Sequence, residues 1–122
     1  MTVYDSIGQE GFARLVAAFY RRVPRDEILG PMYPADELAE AERRLLGFLV
    51  YRFGGPPDYL QWRGHPALRM RHAPFDIDQA ARDRWVQLME QALAEAALPD
   101  EATQTLRAFF AQTATFLINR AG

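Results

Sequence analysis

The sequence holds no cysteine and no lysine, and its only serine is Ser6. Without cysteine there is no disulfide scaffold, thiolate nucleophile, zinc ribbon, iron–sulfur cluster or thiolate-bound iron. Without lysine there is no phosphate-binding loop ending in Gly-Lys-Ser/Thr and no Schiff-base amine, which removes most nucleotide hydrolases and pyridoxal enzymes. Ser6 stands in Asp5-Ser6-Ile7-Gly8 rather than in a Gly-x-Ser-x-Gly elbow, which argues against serine hydrolysis. All 14 basic residues are arginine, against 16 acidic ones and a net charge of −2, whereas a nucleic-acid binder normally carries a basic excess. Histidine is scarce too: only His65 and His72 occur, with no His-Glu-x-x-His or Glu-x-x-His, so zinc and di-iron sites lack their ligands. Asp76-Ile77-Asp78 lacks the rest of a calcium loop.

Long apolar runs are absent as well. The longest, Leu45 to Tyr51, is about a third of the ~20 residues a spanning helix needs. The opening Thr2-Val3-Tyr4-Asp5 is polar and acidic, not a basic start with an apolar run, so no secretory signal is expected and the mature chain is expected to begin here. A soluble, cytoplasmic protein follows, with neither membrane nor nucleic acid among its partners. At 122 residues, 49% hydrophobic and 25% charged, the composition fits one globular domain spanning 1–122 with a core of its own.

Four segments carry helical periodicity. Phe12, Leu15, Val16, Phe19, Tyr20 and Val23 form one stripe, stopped by Pro24. Leu38, Ala41, Leu45, Phe48, Leu49 and Phe53 form a second, stopped by Gly54-Gly55-Pro56-Pro57. Asp78 is placed to cap a third, with Ala81, Trp85, Leu88, Met89, Ala92, Leu93 and Ala96, ending at Pro99. Asp100 is placed to cap a fourth, with Leu106, Phe109, Phe110, Thr113, Phe116 and Leu117. No strand-like alternation competes, and the fold class read from these stripes is all-α.

Residues 58–75 differ, being broken and rich in Pro, Gly, Arg and aromatics. Asp58 is placed to cap a single turn to Arg63; a second short helix starts at Pro66 and is limited by Pro74. His72 falls in its last turn, with Leu68 one turn earlier on the same face. Pieces this short do not hold themselves together, so the core or a ligand must order them.

A single available imidazole suits one metal cofactor, haem, which brings four ligands of its own and asks for apolar walls and for cations near its propionates. His72, flanked by Arg69 and Arg71, is a candidate ligand; a surface histidine or a satisfied core histidine fits the same pattern. Tyr20 and Trp85 read by default as core aromatics and Tyr33 as a loop anchor. Arg21, Arg22, Arg25, Arg43 and Arg44 read as solvated faces paired with nearby acids.

From about Val3 to Asn119 the sequence resembles the group II truncated haemoglobins. The resemblance rests on Phe19-Tyr20, Pro31-Met32-Tyr33-Pro34, Ala41-Glu42-x-x-Leu45, Gly54-Gly55-Pro56, Arg63-Gly64-His65-Pro66, the run from Leu68 to Phe75 and Arg82-Asp83-x-Trp85. The run around His72 is the most specific of these. The resemblance implies a globin-like two-over-two helical sandwich around haem b, with His72 as proximal iron ligand. It implies a distal cage of Tyr20, Tyr33 and Trp85, with Ala41 where larger globins often have a distal histidine. It also implies walls from Leu45, Phe48, Leu49, Leu68, Phe75 and Ile77, and a propionate partner in Arg71. Two departures stand out. A Gly-Gly pair common at the first helix corner is here Gly8-Gln9, and Trp62 occupies a position often polar, either over a haem edge or as a cover on its loop.

The function so implied is binding of dioxygen and other diatomic ligands at the haem iron. It serves either oxygen storage and transport or redox chemistry on the bound ligand. An enzymatic variant is nitric oxide dioxygenase or peroxidase activity; with no flavin or nicotinamide motif in the chain, it calls for a separate reductase. A haem-free helical interaction module is the remaining alternative, and oligomeric state is not fixed by these features.

Overall fold

The computed structural model describes residues 1–121, and among them it contains helices and turns but no strand. Six α-helices run in order: α1 (Val3–Arg22), α2 (Leu38–Arg52), α3 (Asp58–Arg63), α4 (Leu68–His72), α5 (Gln79–Ala96) and α6 (Asp100–Phe116). The four periodic stripes lie in α1, α2, α5 and α6.

α1 begins well before the stripe that predicted it. Thr2 caps it reciprocally: its hydroxyl accepts from the Asp5 N–H at 3.0 Å, and the Asp5 carboxylate accepts from the Thr2 N–H at 2.9 Å. The helix is kinked at Gly8, where φ is 66° and ψ −179°, a conformation open in practice only to glycine. One glycine thus makes the corner where the resemblance led us to look for two. Beyond it Phe12, Leu15, Val16 and Phe19 are fully buried.

Pro24 lacks the N–H that the next helical turn needs, and the chain tightens into a 3-10 turn at Val23–Arg25. Asp26 then fixes the connector. Its carboxylate accepts from the Ile28 and Leu29 N–H groups and pairs with Arg84 of α5. Burial works to raise the Asp26 carboxyl, but these partners hold it below its ordinary value. The connector goes on through 3-10 turns at Gly30–Met32 and Ala35–Glu37, with Tyr33 between them.

Asp78 caps α5 as predicted, accepting from the Ala81 N–H at 2.9 Å. Asp58 and Asp100 do not cap. Pro57 and Pro99 occupy the cap positions of α3 and α6 without side-chain bonds, and both aspartates lie in the first turn. There a negative charge still favours the helix dipole. α5 ends at Ala96 through a left-handed Ala97, φ 52°, before Pro99 is reached. Phe116, placed on the apolar stripe of α6, is 55% exposed.

α1 packs against both α2 and α5, and α5 against α6, which gives one helix pair laid over another. Met89, Ala92, Leu93 and Leu106 complete the core where α1, α5 and α6 meet. α3 and α4 lie outside this packing and bridge α2 to α5.

A Cβ added to Gly8 meets no atom within 4 Å, so substitution there probes backbone strain alone. Gly8→Ala is expected to cost about 1–3 kcal/mol in chemical denaturation, the range for a residue forced into this region. An unchanged midpoint would show that the kink relaxes at no cost.

Candidate functional site

A cavity of about 290 Å³ opens between α1, α2, α4, α5 and α6. One water needs about 10–15 Å³ on a comparable measure, so this is a binding volume and not a packing defect. All twelve residues that the resemblance placed in the distal cage, the walls, the iron ligand and the propionate partner border it. Tyr20, Tyr33, Ala41 and Trp85 lie along it with Leu45, Phe48 and Leu49 of α2. Leu68, Arg71, His72, Phe75 and Ile77 come from α4 and the segment after it. The sequence therefore brings them together, from five separate stretches of chain.

His72 sits in the last turn of α4, and its Nδ1 is 2.7 Å from the Leu68 carbonyl oxygen. A carbonyl only accepts, so Nδ1 carries the proton of the neutral ring and Nε2 keeps its lone pair. The ring is thereby oriented with one nitrogen committed and the other available as a ligand.

Tyr20 is buried at 6% exposure, and its ring meets Tyr33 edge-on at 5.8 Å and Phe19 at 5.1 Å. Trp85 is wedged between Phe19 and Phe110, at 5.2 and 5.6 Å between ring centres. Burial raises the Tyr33 phenol above its ordinary value, while the indole of Trp85 and the hydroxyl of Tyr20 bear on its oxygen and hold the rise in check. Burial pushes Tyr20 well above its ordinary value, and the adjacent Tyr33 adds to this. Both phenols stay protonated through the neutral range, so the cluster is a set of donors.

Arg71 does more than its expected role required. Its Nε donates to the Pro66 carbonyl at 2.6 Å, and its Nη2 donates to those of Arg63 and His65 at 2.8 Å each. It thus ties the 63–66 turn to α4, and Nη1 is the nitrogen left for a ligand. Trp62 does not border the cavity. It packs edge-on against Tyr59 at 5.3 Å with Arg43 at 4.0 Å over its ring, so it covers its loop on the α2 side.

Several lining residues carried no signal as such. Phe109, Phe110 and Ala114 of α6, with Leu117 at its C-cap, form a wall. Periodicity had assigned Phe109, Phe110 and Leu117 to the core, and Ala114 stood outside the stripe. Asn119 was missed entirely. Its Oδ1 accepts from the Ile77 N–H at 2.9 Å, and its Nδ2 donates to the Phe75 and His72 carbonyls at 2.9 and 3.3 Å. It closes the segment after His72 from the far end of the chain.

Among the described residues no three His, Cys, Asp or Glu side chains gather to hold a bare metal ion. One imidazole, two phenols and an indole in an apolar cavity fit instead an ion that brings its own equatorial ligands. No helix among the described residues is long and apolar enough to cross a membrane.

Residues 2–119 match the family model described as Bacterial-like globin. The chain is 38% identical to the group 2 truncated hemoglobin YjbI of Bacillus subtilis, over 96% of this chain and 88% of that protein. Its structure superposes on the haemoglobin of the thermophilic phototroph Chloroflexus aurantiacus with TM-score 0.94 and 41% identity, covering 98% and 99% of the two chains. A thermostable haemoglobin from the actinobacterium Thermobifida fusca gives TM-score 0.93 at 43% identity, covering 98% of each chain.

Removing the Asn119 amide strands one donor and two acceptors next to His72. Asn119→Ala is expected to cost about 1–3 kcal/mol and to speed hydrogen exchange at Ile77 while leaving the α1 core amides protected. Unchanged exchange at Ile77 would show that the clamp is ornamental.

Proposed function

Because the chain belongs to the bacterial-like globins, in their group II truncated haemoglobin branch with the two-over-two fold, we propose that it binds haem b through His72 and takes up dioxygen and other diatomic ligands there. The observation that carries this is the His72 ring, with Nδ1 held by Leu68 and Nε2 free, on the same apolar cavity as the Tyr20, Tyr33 and Trp85 donors. With no cysteine to form thioether links, the cofactor is held without covalent bonds, which is the b type. When bound, haem supplies a redox-active iron with a coordination position for a small ligand.

The chain's own residues do the rest. Leu45, Phe48, Leu49, Leu68, Phe75 and Ile77 wall the macrocycle and exclude water, and Ala41 leaves room at the α2 side. Arg71, through Nη1, is placed for a propionate. Tyr33 and Trp85 present O–H and N–H donors to a ligand that draws electron density, and the Tyr20 ring, edge-on to that of Tyr33, holds it in register.

Such a donor set retains its ligand, and retention favours redox chemistry over carriage. On this second reading the protein acts on nitric oxide or peroxide, with electrons from a separate reductase. Its place of work is the cytoplasm.

If the donors govern retention, Trp85→Phe raises the dioxygen dissociation rate by roughly tenfold or more, the worth of a hydrogen bond to a charged group. Ala41→Val, which adds bulk but removes no donor, changes it less. The reverse order in stopped-flow measurements would overturn the assignment.

A further inference from the structure

The rim of the cavity carries four arginines, Arg44, Arg63, Arg71 and Arg82, against a single carboxylate, Glu37. Two of the four have protein partners. Arg71 is committed to three carbonyls, and Arg82 donates to Asp83, Thr115 and the Ala111 carbonyl. Arg44 and Arg63 make no side-chain hydrogen bond or ion pair among the described residues.

Arg63 is the sharper case. It is half-buried, and its Nε is sealed from solvent without any hydrogen-bond partner, the one such side-chain atom among the described residues. Shielding a cationic donor without a partner is costly unless a counter-charge meets the same group. The guanidinium charge is delocalised, so a carboxylate seated on the Nη side offsets the penalty for the whole fork. The backbone around Arg63 is fixed as if for that purpose: its carbonyl is held by Arg71 Nη2, and the chain turns immediately after it at Gly64, φ 83°.

We propose that Arg63 is the main anion-binding residue of the cavity and seats one propionate of the haem, with Arg44 facing the other. This rests on the haem reading above. It moves the principal propionate role from Arg71, which spends Nε and Nη2 on building the turn and keeps only Nη1, to the neighbour whose whole fork is unspent. The two carboxylates of the macrocycle then match the two unpaired guanidiniums in number and sign, and the macrocycle's edge is set against α2 and α3.

The test compares haem with its dimethyl ester, in which both propionates are capped, as probes for the purified apoprotein. Arg63→Leu is expected to weaken haem binding on the order of tenfold, the worth of a charge-assisted hydrogen bond, and to leave dimethyl-ester binding unchanged. Arg63→Lys should recover part of the loss. Equal loss for both probes would make Arg63 a structural residue, and no loss for either would also overturn the proposal. If Arg63→Leu does not fold, Arg63→Lys and Arg63→Gln carry the same comparison. Failure of the wild-type protein to bind haem at all would sink the haem reading itself, a result distinct from both.

Discussion

A five-residue helix lies far below the length that sustains itself in water, yet α4 carries the imidazole around which the site is built. It is held from both sides by polar clamps more than by packing, since none of its residues is fully buried and Leu68 alone packs against the core. Arg71 gathers the carbonyls of the preceding turn, and Asn119 gathers the backbone of the following one. Between these clamps the Leu68 carbonyl fixes the ring of His72. If α4 drifted, the cavity would lose its imidazole, one wall and Arg71 together.

The cavity itself is the second constraint. A cleft of about 290 Å³ walled by apolar side chains leaves that surface without packing partners until something fills it. The aromatic buttress of Phe19, Trp85 and Phe110 keeps it open from the α1 and α5 side, while Asp26 and Arg84 hold the connector that delivers Tyr33. An occupant that fills the void would thus contribute to the fold as well as to the chemistry.

Much of this was legible in the sequence because it depends on local rules. The four stripes, the Asp78 cap, the proline stops and the weakness of 58–75 all follow from periodicity and backbone chemistry. The positions of Tyr20, Tyr33, Trp85 and His72 on one cavity came from resemblance, since periodicity by itself sends an aromatic to the core. What was not legible was long-range or polar. Asn119 and Ile77 meet across the whole of α5 and α6, Arg71 spends Nε and Nη2 on carbonyls that no side-chain pattern reveals, and Phe109 shows nothing that separates wall from core. Asp58 and Asp100 misled because aspartate suits both the cap and the first turn. The first turns of α1 were missed because a short piece before a glycine kink carries too few apolar positions to show a stripe.

The central claim is that His72 offers Nε2 to a haem held in this cavity. It is tested most directly by optical titration of the purified protein with haem, ferric and then ferrous, for wild type and His72→Ala. The account predicts a saturable one-to-one complex with a strong Soret band in the wild type, and a sharply altered spectrum once the imidazole is gone. Identical spectra for the two proteins, or no saturable complex with the wild type, would contradict it.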